Sequence, residues 1–232
     1  MKIVSGDFFK QGFAVVKTPA GSSQMRMLTE RFSSRYSPRF QNDPVRNRNI
    51  IKLFAEDIDV KRFFCGPDFD EIFKDYLSMA EPVQTGPVVT HYTANDLTGG
   101  NYGLPYHQDW PSMGTSAKGV IAWVSITDAK ADAPGLTILP CSHLTGLWPG
   151  EQTDTGYVLS EQAFDNALDV EVDAGQILLM SPYLVHKTRM PTEDNWKLSL
   201  SCRFDDLSCQ QWNRRNYVSA YRTTVDRSTY EK

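Results

Sequence analysis

The sequence predicts an α+β fold that is mainly β, a sandwich or jelly roll whose early helices pack on one sheet. In the first 85 residues, apolar side chains recur at three- and four-residue steps, a period typical of helices. After about residue 86, the chain changes to short β-rich runs separated by Gly, Pro, Asp and Asn. Helices followed by strands, without regular alternation, are typical of α+β domains.

The N-terminal part of the chain contains both strand and helix signals. "GFAVV" predicts a short strand, and "SSQMRMLTERF" predicts a helix with serine caps within about residues 22–36. Residues 35–49 are polar, carry two prolines and are predicted to form a loop. Two helical segments follow, and the second, "GPDFDEIFKDYLSMA", has Pro67 and acidic residues at its start.

The strand signals of the second half lie in six short runs. These are "PVVTHYT", "GVIAWVSIT", "GLTILP", "LDVEV", "GQILLMSPYLV" and "WKLSLSCRF". In the last run, side chains alternate between an apolar and a polar face. The apolar face carries Trp196, Leu198, Leu200, Cys202 and Phe204, and the polar face carries Lys197, Ser199, Ser201 and Arg203. If helices cover the apolar face, two cations point into a cavity; otherwise the polar face lies in water.

The composition predicts one soluble domain of 232 residues, 41% hydrophobic and 22% charged. The four cysteines form no CxxC pair and no zinc-like spacing, which favours a reducing, cytoplasmic environment. The net charge of −4, without a basic tract, argues against nucleic acid as a partner. Because no apolar run reaches the roughly 20 residues of a membrane span, no membrane partner is expected either.

The segment "GLPYHQDWPS" contains the most distinctive chemical signal. On an extended segment, His107 and Asp109 project to the same side and can meet one metal ion. Non-haem iron(II) oxygenases use two histidines and one carboxylate, which leave positions open for cosubstrate and oxygen. The second histidine must come from His91, His143 or His186. His186 is the best candidate because it ends an apolar strand in "DAGQILLMSPYLVHKT".

The region from about 86 to 204 resembles the phytanoyl-CoA dioxygenase family of iron(II)/2-oxoglutarate oxygenases. The resemblance covers about half the chain and rests on four blocks in the right order. They are "PYHQDW" at the metal site, "IAWVSITDAKADAPGLTILPCSHLTG" with its tryptophan, "VDAGQILLMSPYLVHKT" before the distal histidine, and "WKLSLSCRFDD" at the cosubstrate carboxylate.

The resemblance implies a double-stranded β-helix, the cupin-like jelly roll, with His107, Asp109 and His186 as the iron ligands. It also implies 2-oxoglutarate and O2 as cosubstrates, with succinate and CO2 as products and hydroxylation of an unactivated C–H bond. Related halogenases have a small residue in place of the carboxylate, so Asp109 favours hydroxylation or desaturation over halogenation.

We expect one oxygenase domain, residues 1–232, with three parts. Residues 1–85 form a helical N-terminal support, residues 86–205 form the jelly-roll core with the metal site, and residues 206–232 form a C-terminal extension.

The predicted cosubstrate site departs from the family pattern in its cation. The arginine that usually binds the far carboxylate of 2-oxoglutarate lies 11 residues after the distal histidine, where this chain has Lys197. Lysine lacks the planar fork of arginine. Arg203 lies on the same face of the same strand, so both cations are candidates. Thr188, Trp123 and His91 match family positions that line the cosubstrate site.

The substrate is less well determined. The aromatic residues Tyr102, Tyr106 and Trp110 are expected to rim the entrance of the barrel. A small polar metabolite, from natural-product or surface-sugar biosynthesis, is favoured because the sequence shows no long apolar tunnel.

Two alternatives to an oxygenase stay open. A cupin-type metal-dependent isomerase or lyase shares the barrel, although Asp109 in place of a third histidine argues against many cupins. A non-catalytic barrel binding protein is favoured only by Lys197 at the usual arginine position.

Overall fold

The computed structural model of the chain describes residues 1–94, 103–126, 135–153, 156–159, 164–189 and 196–219. The strands in these ranges are β1 (Lys2–Asp7), β2 (Phe13–Lys17), β3 (Pro82–Gln84), β4 (Val89–Ala94), β5 (Val120–Ser125), β6 (Gly135–Ile138), β7 (Glu151–Thr153), β8 (Gly156–Val158), β9 (Leu168–Val170), β10 (Gln176–Met180), β11 (His186–Arg189) and β12 (Trp196–Asp206).

The helices lie mainly in the first third of the chain. They are α1 (Phe8–Gln11), α2 (Gly21–Arg31), α3 (Pro44–Ala55), α4 (Ile58–Phe64), α5 (Pro67–Glu71), α6 (Trp110–Met113) and α7 (Gln210–Arg214). Two π-helical turns, Phe32–Tyr36 and Ile72–Tyr76, continue α2 and α5. Within the described ranges, none of these helices is both long and apolar enough to cross a membrane.

Two antiparallel sheets build the jelly roll. The main sheet has the order β1-β2-β10-β5-β12-β3, and β4 also pairs with β12. The second sheet has the order β11-β6-β9, and His107 bridges it to the hairpin of β7 and β8 by pairing with both His186 and Val158. This architecture confirms the predicted α+β, mainly β, jelly-roll fold. Three strands of the main sheet, β1 to β3, come from the first 85 residues, so this part of the chain adds to the sheet as well as covering it.

The main sheet is apolar on both faces over most of its width. Its outer face packs under the N-terminal helices through Ala14, Val16, Ala122, Val124, Ile177, Leu179, Leu198, Leu200, Cys202 and Phe204. Its inner face meets the second sheet through Phe13, Val15, Ile121, Trp123, Leu178 and Met180. Full burial stabilises each large apolar side chain by about 1.5–3 kcal/mol. The helices therefore hold the sheet from one side only, as predicted.

The structure of β12 shows that its polar face lies in the interior and not in water. Leu198, Leu200 and Cys202 are completely buried in the core under the helices. The polar residues face the second sheet and are also buried, with Lys197 only 2% and Arg203 only 6% exposed. Two cations consequently lie in the interior of the jelly roll and not in water.

The prediction of a loop over residues 35–49 is wrong at both ends. At its beginning, the π-helical turn Phe32–Tyr36 is followed by a 3-10 helical turn, Ser37–Arg39. Helix α3 begins at Pro44, and the Asp43 side chain accepts a hydrogen bond of 3.0 Å from the backbone N–H of Arg46. Proline in the first turn and aspartate at the N-cap are start signals of a helix. The polar residues that suggested a loop are those that an amphipathic helix presents to solvent.

Asp57, between α3 and α4, joins three helical segments through its carboxylate. The Nε of Arg31 donates to both of its oxygens at 2.8 Å, and the hydroxyl of Tyr36 donates at 2.6 Å. Burial by itself would raise the pKa of Asp57, but the bonds from Arg31 and Tyr36 lower it from 3.8 to about 2. The ionised carboxylate therefore stabilises the folded protein.

We expect Asp57→Asn to lower the free energy of unfolding at pH 7 by about 2 kcal/mol, because hydrogen bonds to a charged group are lost. A depressed carboxyl pKa stabilises the fold above pH 3.8, and this contribution fades as the pH falls toward about 2. The variant should therefore lose part of the acid dependence of stability in that window. Urea unfolding followed by circular dichroism at several pH values measures both effects.

Glu56→Gln is the matched control for this prediction. Glu56 is the neighbouring residue and pairs with Lys61, with both side chains at least half exposed. A surface pair of this kind contributes about 0–1 kcal/mol. Equal losses of stability in the two variants would contradict the role given to Asp57.

Candidate metal centre

His107 and His186 face each other across two antiparallel segments. The N–H of His107 donates to the carbonyl of His186 at 2.9 Å, and the N–H of His186 donates back at 3.1 Å. Residues that exchange both backbone hydrogen bonds are directly opposite and project their side chains to the same face. The two imidazole centroids are accordingly 4.2 Å apart. The register of the second sheet thus creates a pair of adjacent imidazoles.

Both imidazoles are oriented by a backbone carbonyl two residues earlier in the chain. Nδ1 of His107 lies 2.7 Å from the carbonyl of Pro105, and Nδ1 of His186 lies 2.9 Å from that of Leu184. A carbonyl oxygen can only accept, so each Nδ1 carries the proton and each Nε2 presents a lone pair. This is the arrangement that histidine ligands of metals use.

Asp109 completes the cluster from a different backbone conformation than predicted. Its backbone is helical, with φ −76° and ψ −21°, and it caps the one-turn helix α6. The expectation of an extended segment is therefore wrong at this residue, although its side chain still meets that of His107. Oδ1 of Asp109 lies 3.3 Å from Nε2 of His107, and the ligand atoms of His107, Asp109 and His186 lie within 4.8 Å of one another.

Gln108, between the two predicted ligands, anchors this segment of the chain through its side chain. Its side chain points away from the cluster and donates to the carbonyls of Gly146 and Tyr183, while its oxygen accepts from the N–H of Trp148 at 2.7 Å. Gln108 is 2% exposed and ties two other loops to the ligand segment. The sequence analysis assigned it no role, because an amide between two ligands carries no signal of its own contacts.

The charges in the cluster favour metal binding. Burial would raise the pKa of Asp109, but the side chain of His107 beside it and the charge of Arg203 hold that pKa well below its usual range. Burial, and next the nearby His107, lower the pKa of His186 to about 4. At neutral pH, the carboxylate is ionised and His186 is neutral, which are the protonation states of metal ligands.

A chain of hydrogen bonds leads from Asp109 into the wall of the cavity. Nη2 of Arg203 donates to Oδ2 of Asp109 at 3.1 Å, and Nη1 of Arg203 donates to Oγ of Ser201 at 2.6 Å. The same Oγ lies 2.7 Å from Nε2 of His91. Burial, with a further contribution from Arg203, lowers the pKa of His91 to about 3, so His91 is neutral.

The cluster opens into a cavity between the two sheets that contains about 550 Å3 of empty space, including its opening. The Nζ of Lys197 lies 4.6 Å from the centroid of the Trp123 ring on one wall. On another wall, Oγ1 of Thr188 accepts from the N–H of Leu104 at 3.0 Å.

The structure brings most of the predicted site residues together. Around this one cavity lie His91, His107, Asp109, Trp123, His186, Thr188, Lys197 and Arg203. Ser199 and Ser201 share the cavity wall because they alternate with Lys197 and Arg203 on β12. That alternation was visible in the sequence, but it did not indicate that Ser201 links two other site residues.

Two of the three aromatic residues expected at the entrance lie elsewhere. Tyr106 is 6% exposed, packs in a separate apolar cluster and lies under the ammonium of Lys187. Trp110 is 5% exposed, stacks on Tyr183 and donates from Nε1 to the carbonyl of Thr115. Neither borders the cavity, because both side chains serve packing around the ligand segment. Tyr102 lies outside the described residues.

The fold and this cluster define a jelly-roll protein with a candidate mononuclear metal centre of two histidines and one carboxylate. A family model described as phytanoyl-CoA dioxygenase (PhyH) matches residues 8–194, so the chain belongs to this family. The family prediction made from the four sequence blocks is confirmed. A search of curated proteins finds no match.

Solved structures of similar fold include enzymes of nogalamycin biosynthesis. The epimerase SnoN in complex with Fe3+, alpha ketoglutarate and nogalamycin RO is 14% identical, with a TM-score of 0.61 over 86% of this chain and 80% of that chain. EvdO2 from Micromonospora carbonacea var. aurantiaca is 16% identical, with a TM-score of 0.63 over 88% of this chain and 92% of that chain. The non-heme monooxygenase ThoJ is 16% identical, with a TM-score of 0.63 over 86% and 75%.

We expect the wild-type protein to bind one equivalent of Co(II), used as a visible probe of divalent metals, and His107→Ala or Asp109→Ala to abolish tight binding. Each substitution removes one of three donors, while the apolar core under the helices is untouched. A titration monitored by the visible absorption of bound Co(II) measures the affinity, and circular dichroism checks the fold.

His143→Ala is the control for these variants. His143 is a histidine outside the cluster, and its Nε2 lies 3.3 Å from the carbonyl of Phe9. This variant should bind Co(II) like the wild type. Unchanged binding in folded His107→Ala would refute the cluster as a metal centre.

Proposed function

We propose that the protein is an iron(II)- and 2-oxoglutarate-dependent dioxygenase that hydroxylates an unactivated C–H bond of a small polar metabolite. The observation that carries this proposal is the position of the His107, Asp109 and His186 cluster in the same cavity as the buried cation Lys197. Family membership and the ligands named for the SnoN complex support the choice of metal and cosubstrate.

The donor set fits iron(II). Two neutral imidazole nitrogens and one carboxylate oxygen are the facial set of non-haem iron(II) oxygenases. When bound, iron with 2-oxoglutarate and O2 supplies the oxidising power for the C–H bond, and 2-oxoglutarate leaves as succinate and CO2. The protein's part is to hold the two imidazoles by their Nδ1–H groups and to keep Asp109 ionised.

Lys197 is the residue that would bind the far carboxylate of 2-oxoglutarate. It lies on the cavity wall at 2% exposure, next to the face of Trp123, whereas Arg203 donates to Asp109. An anion that leaves water for such a cavity needs a cation beside it. Lysine provides a point charge without the fork geometry of arginine, so it places fewer demands on the orientation of the carboxylate.

Thr188 is suited to assist Lys197. Its Oγ1 accepts from the backbone N–H of Leu104, which leaves its hydroxyl proton for donation. A carboxylate in the cavity can accept that proton in a hydrogen bond. Gly103 supports this arrangement, because a Cβ there would lie 2.4 Å from Cβ of Thr188 and would push the threonine away.

We expect the wild-type protein, loaded anaerobically with iron(II), to convert 2-oxoglutarate to succinate when O2 is admitted, and His107→Ala to lose this turnover. Coupling to a hydroxylated product is tested by incubation with a polar metabolite extract under 18O2, because hydroxylation places one labelled oxygen in the product and one in succinate.

The same experiment separates the alternative outcomes. A product that changes configuration without gaining labelled oxygen would replace hydroxylation by an epimerase reaction of the kind named for SnoN. Product formation without succinate would favour a metal-dependent isomerase or lyase. A protein that binds metal but forms neither product nor succinate would be a binding protein.

We expect Lys197→Met to raise the dissociation constant for 2-oxoglutarate by two orders of magnitude or more, since loss of one partner of a buried ion pair costs about 3–5 kcal/mol. Lys197→Arg should restore part of the affinity. Anaerobic titration of the iron(II)-loaded protein by calorimetry measures the constants.

Lys187→Met is a matched control for the loss of an ammonium over an aromatic ring. The Nζ of Lys187 lies 4.6 Å from the ring centroid of Tyr106, the same distance as between Lys197 and Trp123, but outside the cavity. This control should bind 2-oxoglutarate like the wild type. An unchanged constant in Lys197→Met would move the cosubstrate carboxylate to another residue.

A further inference from the structure

We infer that Arg203 is a positioning residue for Asp109 and does not bind the cosubstrate, and that Ser201 and His91 hold Arg203 in place for this task. The inference rests on the proposed function only through its metal centre. The sequence does not distinguish the two buried cations of β12. The inference assigns the positioning of Asp109 to Arg203 and leaves cosubstrate binding to Lys197.

The two oxygens of Asp109 face different partners. Oδ1 lies 3.3 Å from Nε2 of His107, on the side where the three ligand atoms converge. Oδ2 lies 3.1 Å from Nη2 of Arg203, which is 6% exposed. A guanidinium repels a metal cation and cannot ligate one. Its place beside Oδ2 therefore presents Oδ1 to the metal and keeps Oδ2 away from it.

The orientation of Arg203 is fixed by a second hydrogen bond. Its Nη1 donates to Oγ of Ser201 at 2.6 Å, and because a guanidinium never accepts, Ser201 must be the acceptor. The hydroxyl proton of Ser201 is then directed to Nε2 of His91, 2.7 Å away. The donor and the acceptor of each hydrogen bond from Asp109 to His91 are thereby fixed. Because Nε2 of His91 accepts, His91 must be neutral.

Arg203, Ser201 and His91 are anchored on two paired strands of the main sheet. Ser201 and Arg203 are on β12, and His91 is on β4, where it pairs with Ser199 of β12. Both cations point inward because they alternate with the fully buried Leu198, Leu200 and Cys202. The guanidinium consequently has little freedom to leave Asp109 for a ligand elsewhere in the cavity.

The consequence is control of how the carboxylate binds. With Arg203 in place, Asp109 would bind a metal ion through Oδ1 alone. Without it, Oδ2 can turn to the same ion, so that the carboxylate occupies one of the positions that a facial set of three ligands leaves open. Loss of partners that orient ligands typically costs about 10- to 100-fold in metal affinity.

The test is an anaerobic titration of Arg203→Met with Co(II) alone, followed by absorption in the visible region, where the bands report coordination number. We expect metal affinity to fall about 10- to 100-fold and the band shape to change. Arg203→Lys keeps the charge with a single donor head and should be intermediate. Ser201→Ala, a small change that keeps Arg203, should shift affinity and bands in the same direction but less.

Lys197→Met is the matched control, because it removes the other buried cation from the same face of the same strand. It should bind Co(II) with the affinity and spectrum of the wild type, and lose 2-oxoglutarate instead. The fold of every variant is checked by circular dichroism, and Ser201→Ala keeps the test decisive if Arg203→Met does not fold.

Two results would overturn the inference. One is wild-type Co(II) affinity and spectrum in Arg203→Met, or in Ser201→Ala when Arg203→Met does not fold. The other is a loss of 2-oxoglutarate binding in Arg203→Met with metal binding intact, which would make Arg203 the cosubstrate cation. The proposed function fails separately, if the wild type binds Co(II) but not 2-oxoglutarate. If the wild type binds Co(II) no better than His107→Ala, the metal centre and this inference fall together.

Discussion

The mutual backbone pairing of His107 and His186 is the interaction on which the rest of the site depends. It joins the hairpin of β7 and β8 to the second sheet, and it also places two imidazoles 4.2 Å apart. Closing the jelly roll and assembling two metal ligands are therefore one structural event. A register shift of one residue would turn one imidazole to the opposite face, and the three ligand atoms would no longer lie close together.

The second constraint is electrostatic. The interior of the jelly roll contains three charged residues, Asp109, Lys197 and Arg203, and each is less than a tenth exposed. Such charges are tolerated only with partners. Asp109 and Arg203 pair with each other, whereas Lys197 faces Trp123 and the cavity. One buried cation therefore contacts a candidate metal ligand, and the other lines the cavity.

Several features of the site followed from the sequence because their signals are local. The alternation in "WKLSLSCRF" showed which residues share a face, and the strand ending on His186 identified the second histidine. Other features depend on contacts between distant residues. The helical backbone of Asp109, the anchoring contacts of Gln108 with Trp148 and Tyr183, and the burial of Trp110 arise from loops that meet only in the folded chain.

The sequence by itself determined the fold class, the family and the identity of the three candidate ligands, because periodicity and ordered motifs are encoded in neighbouring residues. Only the tertiary structure decided what Lys197 and Arg203 each face, although both lie on one face of one strand. The physical reason is that a strand specifies the direction of a side chain, whereas its partner is set by what the folded chain brings beside it: Asp109 at the start of α6 for Arg203, and the ring of Trp123 on β5 for Lys197.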